Sequence, residues 1–368
     1  MKRLVFFLKT NAVMLIAATA AIITSVIVPP DEKYLDYFDF RTLTCLFTVL
    51  AVVCALKNVR FFYTVAEWIV KRTGNARMSA LALVYITFIG SMLIANDMAL
   101  LTFLPLGYFV LVSAKQERYM AVVFILQNIA ANLGGMLTPF GNPQNLYLYS
   151  KFNIPDGEFI LIMLPLFLVA IALITACVFI FIKPEPIELS GSVKRLPIPR
   201  VALYLCLFAL AILCVFRTVP YVAALIIIPP VIFLADRTAL LKVDYGLLLT
   251  FVFFFIFSGN MARIDAVREV FSLLLEKSTL AVSALSCQVI SNVPSAILLS
   301  QFTDNYHELL MGVNIGGCGT LISSLASLIT FREYCEHNPG KAGKYIAIFS
   351  AFNLAFLAVM LGFAFIIL

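Results

Sequence analysis

Charge is scarce in this sequence. Asp, Glu, Lys and Arg make up 12% of its 368 residues, where a soluble domain carries about 25%. With 62% hydrophobic residues and a mean hydropathy of +1.01, that shortage excludes a water-soluble globule and predicts an all-α polytopic membrane protein. Histidine is nearly absent: His307 and His337 stand at segment ends, so neither a metal cluster nor a His-based triad can be assembled. The eight cysteines lie singly, without CxxC or Cys/His spacing, and read as small apolar residues. There is no basic patch either. The 26 Lys and Arg, against 20 Asp and Glu, are divided among short loops, which leaves nothing for a nucleic acid to bind. No Ser/Lys or His/Asp pair supplies a nucleophile with its base, and no run of charged residues supplies a pore. An intramembrane enzyme and a channel are therefore disfavoured.

At about 20 residues per crossing, the apolar runs predict nine spans, at 11–29, 40–57, 118–150, 157–183, 200–217, 219–235, 244–258, 306–335 and 342–368. The first run follows MKRLVFFLKTN, is about long enough to span, lacks a clear A-x-A cleavage site and is followed by similar segments, which predicts an uncleaved helix. Two charged, amphipathic pieces, Asn58 to Arg72 and Asn260 to Lys277, predict helices lying in the membrane interface.

Two of these spans are interrupted, and they resemble each other. QNIAANLGGMLTPFGNPQN (127–145) and GVNIGGCGTLISSLAS (312–327) share an NxGGxxT pattern: Asn132, Gly134, Gly135 and Thr138 recur as Asn314, Gly316, Gly317 and Thr320. Upstream of each copy an asparagine heads an apolar run, Asn96 in IANDMALLTFLP and Asn292 in ISNVPSAILLS. The same features in the same order predict a repeat, 1–183 and 201–368, joined by a polar linker at 184–200. The asparagine-bearing segments predict re-entrant hairpins at 76–114 and 278–303. The arm from Ser278 to Ile290 has 13 residues, roughly 20 Å of helix, too short for a core of about 30 Å. Five crossings between the hairpins, an odd number, make the repeat inverted. Loop charges place the N-terminus in the cytoplasm and the C-terminus outside, with 19 of the 26 basic residues inside.

A broken helix leaves backbone groups that lipid cannot satisfy, so such breaks line a polar site or pack in protein. Gly141 and Asn142-Pro143 predict a new half-helix near mid-membrane, with Asn142 as its cap and Pro143 at its first position. In the second copy Ser323-Ser324 replaces that punctuation, and Gly316, Gly317 and Gly319 carry the break. Asn96, Asn132, Thr138, Asn142 and Asn145 from one half, with Ser291, Asn292, Asn314, Thr320, Ser323 and Ser324 from the other, offer oxygen ligands for Na⁺. The half-helix N-termini offer N–H groups for an anion. Asp97 is the one carboxylate expected near the midplane, where an acid must be paired, protonated or bound to a cation.

The four motifs together, IANDMALLTFLP, GGMLTPFGNPQN, ISNVPSAILLS and GVNIGGCGTLISSLAS, resemble the ion transporter superfamily in its citrate-permease and arsenite-permease-like branch, over about residues 10–368. The resemblance implies inverted repeats, two re-entrant hairpins, two interrupted helices, a homodimer and elevator-type movement. Sodium-coupled carboxylate carriers of that superfamily bear Ser-Asn-Thr at both tips. Here the tips are Ala95-Asn96-Asp97 and Ser291-Asn292-Val293, so the asparagines match and the threonines do not. The Asn-Asp tip is more similar to the arsenite-permease side, where coupling is to protons.

The expected function is secondary transport of a small anion, a carboxylate or inorganic oxyanion, with Na⁺ or H⁺ as coupling ion and no further cofactor. Na⁺ would sit among Asn96, Asn142, Asn292 and Ser324, and Gly141 and Gly317 would let the backbone close on the site. The alternatives are a cation/proton antiporter working through Asp97 and an arsenite/antimonite-type efflux permease.

Overall fold

Apolar runs punctuated by Asn, Gly and Pro fold here into helices and little else. The computed structural model describes residues 12–187 and 196–368, and among them the one β feature is an isolated bridge between Asn75 and Pro186. The first helices are α1 (Ala12–Ile27), α2 (Phe40–Asn58), the short amphipathic α3 (Phe61–Val70), α4 (Ala76–Ile94) and α5 (Asn96–Ser113). Then come α6 (Met120–Gly134), α7 (Pro143–Lys151), α8 (Asp156–Phe181), α9 (Ile198–Val215), α10 (Tyr221–Leu241), α11 (Tyr245–Met261) and α12 (Asp265–Lys277). The chain ends with α13 (Thr279–Ile290), α14 (Asn292–Leu299), α15 (Tyr306–Ile315), α16 (Leu325–His337) and α17 (Ala342–Ile367). Side-chain caps start many of them. Asp39 accepts the Thr42 N–H at α2, Asn75 the Met78 N–H at α4, and Ser324 the Ser327 N–H at α16.

Among the described residues, eight stretches are long and apolar enough to cross a membrane, or nine if α11 and α12, bent by 97° at residues 262–264, count as one. The number agrees with the nine expected from sequence, but the membership differs. Both arms of the first hairpin qualify alone, with 19 residues in α4 and 18 in α5, about 27 Å or more of helix each. By contrast α13 and α14 have 12 and 8 residues, and α1 has 16. The expected span 219–235 runs on to Leu241 as α10, with a break at Asp236. Of the predicted linker, residues 188–195 lie outside the described residues, as do Lys2, Arg3 and Lys9.

Packing divides the helices by partner. α1 lies along α11 and α2 along α9 and α10, while α4 packs against α6 and α13 against α15. The hairpins then cross over: α5 packs on α16, and α14 packs on α7. Each hairpin thus rests against the helix that follows the glycine-rich break in the other part of the chain. Residues 182–187 run back across the base of the first hairpin. The Arg77 Nε donates to the Ile182 carbonyl at 2.7 Å, and the Ala76 N–H to the Glu185 carbonyl at 2.8 Å.

Candidate functional site

Both hairpins turn in the same unusual way. Ala95 has φ 65° and ψ 149°, and Ser291 has φ 74° and ψ 159°, a region that residues with a Cβ rarely adopt and that costs about 1–3 kcal/mol. Each residue directly precedes the tip asparagine. The turn ends α4 and α13 abruptly and strands their last carbonyls. Thr138 donates its hydroxyl to the Met92 carbonyl at 2.8 Å, and Thr320 to the Gln288 carbonyl at 3.1 Å. Met92 and Gln288 each stand four residues before the tip asparagine. The two threonines of the NxGGxxT stretches therefore clamp the hairpin tips, and neither hydroxyl is given to the interior of the site.

The paired glycines act with them. A Cβ on Gly134 would stand 2.2 Å from the Phe88 carbonyl oxygen, and one on Gly316 would stand 2.9 Å from the Ala284 carbonyl oxygen. Phe88 and Ala284 each lie eight residues before a tip asparagine, so each glycine lets a broken helix touch the adjacent hairpin arm backbone to side.

Between the tips the asparagines meet. Asn96 donates to Asn132 Oδ1 at 3.2 Å, and Asn132 donates to Ser324 Oγ at 3.1 Å, linking the first hairpin to α6 and then to the start of α16. Asn142 donates to the Asn132 carbonyl at 3.1 Å and to Asn314 Oδ1 at 3.2 Å. Asn314 donates in turn to Asn145 Oδ1 at 2.6 Å, and Gln144 donates to Asn314 Oδ1 at 3.4 Å. Asn145 spends its amide on the carbonyls of Gly135, Met136 and Thr138. On the other side Asn292 takes the Ser323 carbonyl on its backbone N–H at 3.0 Å, while its Oδ1 accepts the Val293 N–H and the Ser291 hydroxyl. Gly317 lies beside Asn292 Nδ2 and Asn132 Oδ1, with Ser323 Oγ on its carbonyl at 2.9 Å. Gly141 packs on Gly135, where a Cβ would stand 2.3 Å from the Gly135 carbonyl oxygen.

The structure thus brings Asn96, Asn132, Asn142, Asn145, Asn292, Asn314, Gly317, Ser323 and Ser324 into one buried cluster fed by both halves of the chain. Asn142 does begin α7, with Pro143 at its first position, but its side chain caps nothing and bonds across to Asn132 and Asn314. Asn96 likewise is the first residue of α5 rather than a cap preceding it. Asn128, Gln144 and Ser327 join the cluster unforeseen; Asn128 reaches Ser327 Oγ at 3.4 Å and accepts from Thr330 at 3.4 Å. The spacing of Asn128 and Asn132, one helical turn apart, was the available signal.

Several oxygens in and around the cluster have nothing to accept. Asp97 Oδ1, Asn142 Oδ1 and Gln144 Oε1 are buried and make no hydrogen bond. A buried orphan acceptor costs about 1–3 kcal/mol, and what relieves it is a proton, a cation or a donor carried in by a ligand.

A cavity of about 610 Å³ reaches Asp97 and stops at Pro143, beside Asn142 and Gln144 in the chain; it is lined by Asp97 and Met98 of α5, Pro143 of α7, Leu325 of α16 and Lys57 of α2 among others. It reaches the surface at Lys242 and Asp244, both exposed. The first turns of α5, α7 and α16 therefore face one space, and helix starts carry partial positive charge. A second cavity, of about 360 Å³, lies at the opposite ends of α2 and α11, lined by Asp39, Arg41, Tyr147, Lys151, Gly259 and Gln301 among others. Tyr147 closes that side. Its hydroxyl meets Ser300 Oγ at 2.8 Å and accepts from Gln301 at 3.3 Å, joining α7 to the end of the second hairpin.

Comparison with known proteins agrees with this architecture. A family model described as citrate transporter matches residues 3–308. An uncharacterized transporter of Methanocaldococcus jannaschii is 31% identical over 346 residues, 92% of this chain and 92% of its own. An inner membrane protein of Escherichia coli is 28% identical over 80% of each chain. A silicon efflux transporter of Oryza sativa is 30% identical over a shorter stretch, 38% of this chain and 28% of that protein.

Proposed function

This chain belongs to the citrate transporter family and is a multi-pass membrane transporter; we propose that it moves a small anion, a carboxylate or inorganic oxyanion, by secondary active transport coupled to Na⁺ or H⁺. The observation that carries the reading is the convergence of both halves on one amide cluster beside a cavity, through the bonds Asn132 to Ser324, Asn142 to Asn314 and Asn314 to Asn145. Substrate and coupling ion would bind there, with helix starts turned toward the anion and the orphan oxygens of Asp97, Asn142 and Gln144 toward the cation. Asn96, Asn142, Asn292 and Ser324 remain the Na⁺ candidates.

In this reading the two hairpins enter the membrane from opposite faces as parts of an inverted repeat, 1–183 and 201–368. The matched tip backbones, the Thr138 and Thr320 clamps and the crossed packing of α5 on α16 and α14 on α7 support it. The N-terminus lies in the cytoplasm and the C-terminus outside. Two copies form a dimer in which the hairpins and broken helices move as a body against α1, α2, α9, α10 and α11, in elevator fashion.

A second reading, a cation/proton antiporter or an efflux permease for an arsenite-like weak acid, draws on the free Asp97 Oδ1 and on the silicon efflux relative. Flux in proteoliposomes under imposed Na⁺ and pH gradients tests both. Gradient-driven movement of citrate, sulfate or another small anion is expected. Movement of arsenite or silicic acid alone, or exchange of Na⁺ for H⁺ without any anion, selects the second reading, and no gradient-dependent flux of any of these, Na⁺ and H⁺ included, overturns both.

A further inference from the structure

The 610 Å³ cavity has a wall that the amide cluster does not explain. Lys57, in the last turn of α2, is half-buried and lines this space, and among the described residues its ammonium has no carboxylate partner and no hydrogen bond. A lysine near a helix C-terminus gains about 0.3–1 kcal/mol from the helix dipole at the surface and up to about 2 kcal/mol where it is partly buried. With no carboxylate beside it, the Lys57 ammonium keeps its charge available to an anion that enters the cavity.

The neighbouring groups narrow what the counter-charge is. Lys242 lines the same cavity and is held by Asn58, its Nζ donating to Asn58 Oδ1 at 2.7 Å. Asn58 is itself fixed by donating to Asp236 Oδ2 at 2.8 Å. Asp244 is committed to the start of α11, accepting the Leu247 N–H at 2.9 Å. Asp97 lines the cavity too, from the hairpin, and makes no ion pair with Lys57 among the described residues. The cavity thus carries one anchored cation at its mouth, one free cation further in, and helix starts at its floor.

We propose that Lys57 is the anion-engaging residue of this cavity: a small oxyanion or carboxylate occupies the space between Lys57 and the first turns of α5, α7 and α16. This rests on the transport reading above and deepens it, because a neutral acid such as silicic or arsenious acid has no use for the ammonium. Lys57 belongs to a helix outside the hairpins, so it holds the anion against the stationary wall before the cluster takes it. Lys242 raises the local anion concentration at the entrance.

The test pairs flux with chemical labelling. In proteoliposomes, Lys57→Gln is expected to raise the KM for the transported anion about tenfold or more, the size of a lost charge-assisted hydrogen bond, with Vmax nearly kept. Lys57→Arg should restore most of the affinity, which separates loss of charge from loss of fold. Independently, pyridoxal 5′-phosphate, an anionic aldehyde, followed by borohydride, is expected to modify Lys57 in the purified protein as readily as the exposed Lys277. Millimolar transported anion should protect Lys57 alone. An unchanged KM in Lys57→Gln, or labelling of Lys277 without Lys57, overturns the inference while leaving transport intact. Absence of any anion flux in the wild type removes the reading beneath it as well.

Discussion

Replacing Asn314 by alanine removes the residue through which the two halves of the cluster are joined. Its carboxamide accepts from Asn142 and Gln144 and donates to Asn145 Oδ1 and the Leu310 carbonyl. Asn142 keeps a second acceptor, the Asn132 carbonyl, and Leu310 is in a helix. Gln144 and Asn145 lose more: the Gln144 amide N–H₂ and Asn145 Oδ1 are each left buried without their partner. At about 1–3 kcal/mol for each orphaned group, Asn314→Ala should destabilise by about 2–6 kcal/mol. The measurement is unfolding by SDS titration in mixed micelles, followed by circular dichroism. Asn145→Ala in the same background makes the argument specific, because removing both partners of the 2.6 Å bond spares the penalty for leaving one of them alone. The double variant should fall short of the sum of the single losses by about 1 kcal/mol or more. Losses that add to within about 0.5 kcal/mol would mean that Asn145 and Asn314 do not communicate, and the bridge between the halves would have no energetic content.

Gly134→Ala should lower the Tm by several degrees and Gly316→Ala by less, since the added methyl meets a backbone oxygen at 2.2 Å in one case and nothing nearer than 2.8 Å in the other. Gly157→Ala, where nothing lies within 4 Å, should be neutral or slightly stabilising, and the reverse ranking in detergent melts refutes the packing argument. Asp97→Asn keeps the shape of the tip and removes its ionisable group; flux driven by a pH gradient should be lost while Na⁺-driven anion flux survives with weaker affinity. A pH-gradient response equal to wild type excludes Asp97 as the coupling group. Outside the spans, the Arg263 guanidinium holds the Asp31 carboxyl below its ordinary value of 3.8. A depressed folded-state pKa stabilises at pH above the unfolded value and is lost as pH falls through the folded one. Wild-type Tm should therefore drop more steeply below about pH 4 than that of Asp31→Asn, and parallel Tm curves refute it.

Much of this site was legible in the linear chain because amides among apolar residues have few explanations. Asn132, Asn142, Asn314 and Ser324 stand where helices break, and the structure brings those four into contact through the cluster. The threonines were legible in position, but the destination of their hydroxyl protons was not. A hydroxyl beside a break donates to the nearest stranded carbonyl, here that of Met92 or Gln288. The same local logic explains the tips. Ala95 and Ser291 carry no sign of left-handed backbone, since neither is glycine, and only the packed arms on either side hold them there. Lys57 and Lys242 were hidden for a different reason. Charge counting assigns a lysine to an end of a helix, whereas which cavity that end borders is decided by helices distant in sequence, here α5, α7, α11 and α16.

The short helix α7 has an electrical consequence. Its first residue, Pro143, lines the larger cavity, while Ser150 and Lys151 at its other end line the smaller. Tyr147, one turn in from Pro143, lines the smaller cavity as well, so water entering both would be separated by about 6 to 11 Å of helix, at most roughly a third of the hydrocarbon thickness. A membrane potential drops where water is absent, so most of the voltage would fall across α7 and the cluster beside it. Each elementary charge carried across that short distance would then exchange close to the full 2.3 kcal/mol or so per 100 mV. A modest displacement of α7 and the hairpins would suffice to make transport voltage-dependent whenever anion and coupling ion do not cancel.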